Sequence, residues 1–210
     1  MIRLQASGRK LQALSTLSII SELRADMNNQ TFGDQIDAIT HSCEEHFQNL
    51  SESELNWKPN EKTWSVAQNL QHLLSVNETY YPIVQRLREG KYELPWIGKI
   101  QFMVNFFGKF ILKSVQPDRK ARMKTFPLWE PSVSPIENSI QKFLHHQSEL
   151  KTLIQSCGDL ILKGTVISSP ANKNIVYSLA TSFDIMIAHE WRHLEQAKEV
   201  NDARAKSMNK

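Results

Sequence analysis

The chain has few places where a helix is forced to stop, and this limits its fold more than any other feature. Seven glycines and eight prolines occur in 210 residues, and the prolines at 95, 117, 127, 131 and 135 gather in one stretch. A fold of many short strands needs turn residues at frequent intervals, whereas long helices need them only at their ends. Between the breakers, apolar residues recur three and four apart, the period of a single helix face. This pattern predicts an all-α fold: a four-helix bundle, ordered up-down-down-up or similarly, with an additional aromatic helical insertion between helices two and three.

The first helix is expected over about 34–50, where Ile36, Ile39, Cys43, Phe47 and Leu50 form one stripe. The second opens at Ser65-Val-Ala-Gln68, a capping box in which the hydroxyl and the glutamine side chain satisfy free backbone N–H groups. Its stripe continues through Leu70, Leu73 and Val84 to Gly90, with a kink at Pro82. Ser134-Pro135-Ile-Glu137 predicts the start of the third, which Gly158 should end. The fourth spans about Ser178 to Val200. Residues 91–133 lie between helices two and three, with a helical piece near 97–115 and Trp96, Phe102, Phe106, Phe107, Phe110, Phe126 and Trp129 among them. They suit a flap over one end of the bundle, a lid, or an apolar surface through which two copies pair as a homodimer. The expected organisation is an N-terminal extension over 1–30 and one domain over 31–205.

Twenty-five basic and 22 acidic residues give a net charge of +3, too even for the dense basic stripe of a nucleic-acid protein. The most basic run, Lys113 to Lys124, fits a solvated loop. No run of about 18 apolar residues exists, so no membrane span is expected. Two distant cysteines, Cys43 and Cys157, make no disulfide framework; they suit buried positions in a cytoplasmic protein.

Of seven histidines, His189 and His193 stand four apart on the last expected helix and therefore share a face. An i,i+4 pair can close on one metal ion, although a surface pair has the same spacing. His72 lies on the row Ser65, Asn69, His72, Val76 beside the core stripe of helix two, where a hydrogen-bonded histidine at the core's edge is equally ordinary. His46 fits a satisfied histidine, and adjacent His145 and His146 cannot share a helix face. Glu190 follows His189 and so points about 100° away from it, which argues against a role as general base. Asn69 is suited to orienting a ligand, Arg192 to an ion pair, and Trp57 and Trp64 to packing at the entry of helix two.

The run Asn56-Trp57-Lys-Pro-Asn-Glu-Lys-Thr-Trp64-Ser65, followed by His72-Leu73, resembles the first motif of the DinB/YfiT-like metalloprotein superfamily. Ala188-His189-Glu-Trp-Arg192-His193-Leu-Glu-Gln196 resembles its second, an HxxRHxxQ on the last bundle helix. The resemblance covers about residues 34–200. It implies a four-helix bundle with one divalent metal, nickel or zinc foremost and iron also compatible, on His72, His189 and His193. Segment 91–133 is longer and more aromatic than a plain connection, which leaves the substrate pocket open. Three histidine ligands leave coordination positions vacant, as in catalytic sites. The resemblance thus implies a metal-dependent hydrolase or thiol S-transferase, activating water or a low-molecular-weight thiol for a small-molecule substrate. A metal-binding stress-response module without turnover and a structural bundle with incidental histidines are the alternatives.

Overall fold

The structure is a computed structural model that describes residues 31–118 and 125–208. Its elements are α1 (31–47), α2 (Glu52–Leu55), α3 (Val66–Glu78), α4 (Tyr81–Arg88), α5 (Gln101–Ser114), α6 (Ser139–Gln155) and α7 (Gly158–Leu162). A hairpin of β1 (Val166–Ser169) and β2 (Asn172–Ser178) follows, and α8 (Leu179–Met208) closes the chain. The expected extension over 1–30 lies outside the described residues.

The expected apolar stripes meet in one core. Ile36, Ile39, Cys43 and Phe47 from α1, Leu70 and Leu73 from α3, Phe143, Leu150 and Ile154 from α6, and Phe183 and Leu194 from α8 are all almost fully buried. Phe32 meets Phe183 edge-on at 5.7 Å. Truncating a ring as enclosed as Phe143 would cost ~3–5 kcal/mol, by lost transfer energy and the cavity left behind. α3 packs against both α6 and α8.

The Ser65 capping box forms as its sequence predicts: Gln68 N donates to Ser65 Oγ, and Ser65 N donates to Gln68 Oε1. The expected kink at Pro82 is instead a full break, with α3 ending at Glu78 and α4 starting at Tyr81. Proline fits the first turn of a helix, whose N–H groups need no intrahelical partner, so Pro82 begins α4 rather than bending a longer helix.

The third long helix departs further from its start signal. It begins at Ser139, after Asn138 in the left-handed region at φ 55°. Ser134 caps nothing there, because distant side chains hold the backbone that follows it. Asn56 takes both the N–H and the C=O of Ile136, at 2.8 and 2.9 Å, and Asn138 N donates to Glu52 Oε1. Gly158 opens the short helix α7 instead of closing α6.

The all-α expectation holds for the bundle, but the hairpin was not foreseen. β1 and β2 pair antiparallel, Val166 opposite Ser178 and Ile167 opposite Tyr177, with a register shift at Ser168/Ser169. The insertion runs through a 3-10 turn, Trp96–Lys99, into α5, which packs on β2 and α8. Gly108 makes that approach close, since a Cβ there would stand 3.1 Å from Thr181 Cγ2. No helix among the described residues is long and apolar enough to cross a membrane.

Candidate metal centre

His72 projects from α3, and His189 and His193 from α8, one turn apart. The packing of α3 on α8 brings the three rings together, with centroids 5.1 Å apart for His72–His189 and 4.6 Å for each of the other pairs. One ring nitrogen from each lies within 4.8 Å of the others, close enough to hold a single ion. His72 and His193 are buried, and His189 is half-buried.

Hydrogen bonding decides which nitrogens face inward. His72 Nδ1 lies 2.7 Å from the carbonyl oxygen of Trp129, an atom that only accepts, so Nδ1 carries the proton. His193 Nδ1 lies 2.8 Å from Asn69 Oδ1, while Asn69 Nδ2 donates to the carbonyl of Ser65. That second bond orients the amide and makes Oδ1 the acceptor. In the neutral imidazoles both Nε2 atoms therefore keep their lone pairs, as metal-binding histidines do when the other nitrogen is tied to oxygen.

The rings are held neutral. Burial lowers the pKa of all three. For His189 it falls to about 3, through burial first and then the nearby His72 and Arg192. For His193 it lies well below the ordinary value, for the same reasons with His189 added. The Trp129 carbonyl partly offsets the shift at His72.

One distance tests the fit of a metal ion. His72 Nε2 and His189 Nε2 are 3.4 Å apart. Two nitrogens each ~2.05 Å from an ion, at a tetrahedral angle, would be separated by ~3.4 Å. The separation of this pair is thus compatible with shared coordination.

Trp64 and Trp129 are parts of the site that the sequence did not assign to it. Trp64, expected only to pack at the helix entry, stacks on His193 at 5.8 Å and tilts against His72 at 4.9 Å. Its place just before the cap Ser65 was a signal for this, since the ring can fold back along α3. Trp129 lies 57 residues from His72 and carries no such signal. Its indole Nε1 is buried without a partner among the described residues. The tail that carries Trp129 is fixed on α3 by Gln68 Nε2, which donates to the Ser132 carbonyl, and by Gln71 Oε1, which accepts from Ser132 N. Asn69, expected to orient a ligand, accepts from His193 Nδ1 across the helix interface. Arg192 Nη1 donates to the Gln116 carbonyl at 3.1 Å, joining α8 to the end of α5.

The other histidines lie elsewhere. His46 Nδ1 bonds the Ser42 carbonyl, His145 pairs with Glu149 at the surface, and His146 is buried beside Asn77 and Tyr81. Glu190 turns away from the cluster, and its Oε1 accepts from Asn77 Nδ2 and Gln147 Nε2 at 2.7 and 2.8 Å. Burial raises its pKa to about 7, against the pull of those two amides.

A helical bundle with three convergent imidazoles between its second and last long helices defines a class of protein with a cluster that could hold a metal ion. The chain belongs to the DinB superfamily, whose family profile matches residues 35–197. No curated protein and no solved structure matches it.

Proposed function

We propose that His72, His189 and His193 bind one divalent ion, zinc or nickel foremost and Fe(II) also compatible, in a metal-dependent enzyme. The reaction is hydrolysis of a small molecule or transfer of a low-molecular-weight thiol to one. The observation that carries this reading is that His72 and His193 have Nδ1–H tied to oxygens while one nitrogen of each of the three rings lies within 4.8 Å of the others, His72 and His189 Nε2 at 3.4 Å. Imidazole donors suit these metals better than magnesium or calcium. A divalent ion held there supplies Lewis-acid chemistry, letting a water or a thiol ionise near neutral pH.

The chain's own residues set the conditions for that chemistry. Trp129 and Asn69 fix two ring orientations, and Trp64 covers two imidazoles with an apolar surface that excludes water. Three histidines leave room for an exogenous ligand, which distinguishes a reactive site from a closed structural one. His189, the least buried of the three rings, marks the side from which that ligand would arrive. The buried free thiols Cys43 and Cys157 accord with a reducing compartment such as the cytoplasm.

Burial of the other two rings favours a second reading, a metal-bearing binding module without turnover. Elemental analysis of untagged protein beside its His72→Ala variant tests the shared premise: about one ion per chain in the first and a large loss in the second are expected. Equal metal in both would remove His72 from the site. Screening the loaded protein against thiol acceptors and against amide and ester substrates separates the two readings, and turnover lost with His72→Ala identifies the enzyme.

A further inference from the structure

The inner side of α5 is fixed by Val104, Gly108 and Ser114, which are buried where the helix meets β2 and α8. Its outer side is then forced into the open. Phe102, Phe106 and Phe110 recur at four-residue spacing and are 72, 51 and 58% exposed. Their rings form a ladder, with centroids 6.3 and 6.4 Å apart and planes within 19° of parallel. Trp96 and Ile100, in the turn before the helix, prolong this apolar face. Isolated exposed apolar side chains are ordinary, but a contiguous aromatic stripe marks a surface that meets something.

The charges around it say what. On the helical wheel Lys109 and Lys113 border the phenylalanine row, Lys99 precedes it, and all three are exposed. No acidic residue occurs from Leu94 to Pro117. None of the three lysines forms an ion pair with a described carboxylate. A two-fold dimer through this face would set lysines against lysines with no carboxylate in the segment to compensate, and such like-charge contacts are costly. Aromatic side chains that enter a lipid interface, flanked by lysines that reach its headgroups, make the pattern of a helix lying in a membrane surface. We propose that the outer face of α5 docks the protein on an anionic lipid membrane. The aromatic row enters the headgroup boundary, and Lys99, Lys109 and Lys113 contact acidic lipid headgroups. This inference is independent of the metal centre.

Flotation of the full chain with phosphatidylcholine vesicles, with and without about 30% phosphatidylserine, tests it. The expected result is co-flotation with the anionic vesicles only. Lys109→Glu with Lys113→Glu should weaken it at least ~10-fold, as should raising salt to about 1 M. Phe102→Ser with Phe106→Ser and Phe110→Ser should abolish it. These side chains point outward, so both variants should keep the wild-type melting temperature, and the lysine variant tests the surface even if the serine variant misfolds. No flotation, equal flotation with neutral vesicles, or a solution dimer that the serine variant dissolves would each overturn the proposal.

Discussion

His189 and Glu190 are neighbours in sequence, yet each anchors a different buried polar cluster. One step along α8 turns a side chain by about 100°, enough to send His189 toward α3's His72 and Glu190 toward Asn77 and Gln147. In the first cluster hydrogen bonds occupy the outer nitrogens of His72 and His193 and leave inward lone pairs unspent. In the second, two amide donors converge on one oxygen of a single carboxylate, whose other oxygen is buried without a partner among the described residues. Burial alone therefore does not make a site. What matters is whether ligand atoms from three ionisable side chains converge on one point, as they do around His72, His189 and His193 and, among the described residues, not around Glu190.

The largest expected effect separates the clusters outright. His189→Ala should reduce bound metal from about one ion per chain to less than ~0.1, because the loss removes one of three ligands. Glu190→Ala should leave metal content unchanged but cost ~2–4 kcal/mol in urea unfolding, since two buried amides lose their acceptor.

The two clusters should also respond to pH with opposite signs in metal-free protein. Glu190's folded pKa of about 7 lies above its ordinary 4.5, so the folded state holds the extra proton between them. Its contribution is complete below pH 4.5 and is lost as pH rises to about 7, by up to ~3 kcal/mol relative to Glu190→Gln. The histidines do the reverse. With folded pKa values held below 6.5, the unfolded state binds the extra protons, and stability falls as pH drops from 6.5, down to about 3 for His189. Urea unfolding of both proteins across this range checks each sign.

Asn69→Leu sharpens the contrast within the metal cluster. It keeps all three ligands but frees His193 Nδ1, and should weaken metal affinity ~10–100-fold in a competition titration. The smallest effect compares two caps: Ser65→Ala should cost ~1 kcal/mol in thermal unfolding, and Ser134→Ala less than ~0.5 kcal/mol.

Those two serines also show what the sequence could and could not reveal. The Ser65 box closes within one turn, so its signal and its partners are both local. Ser134 shows a similar signal, but Asn56 and Glu52 hold the backbone some 80 residues away, and no local pattern announces that. The histidine pair was legible because the i,i+4 spacing imposes a shared face. His72 became legible only through its resemblance to the family motif, since its own helix gives no hint of α8. Trp129 was not legible as part of the site, because a carbonyl oxygen carries no sequence identity and its approach to His72 depends on how the insertion returns. The hairpin escaped notice because its strands are short and pair around Pro170-Ala171, without the alternation that marks a long strand.

X-ray absorption at the edge of the bound metal tests the three-imidazole centre most directly. A first shell with nitrogen at ~2.0–2.1 Å and the multiple-scattering signature of about three imidazole rings is expected, with one ring fewer in His72→Ala. A shell of sulfur, or of oxygen without imidazole scattering, would contradict it.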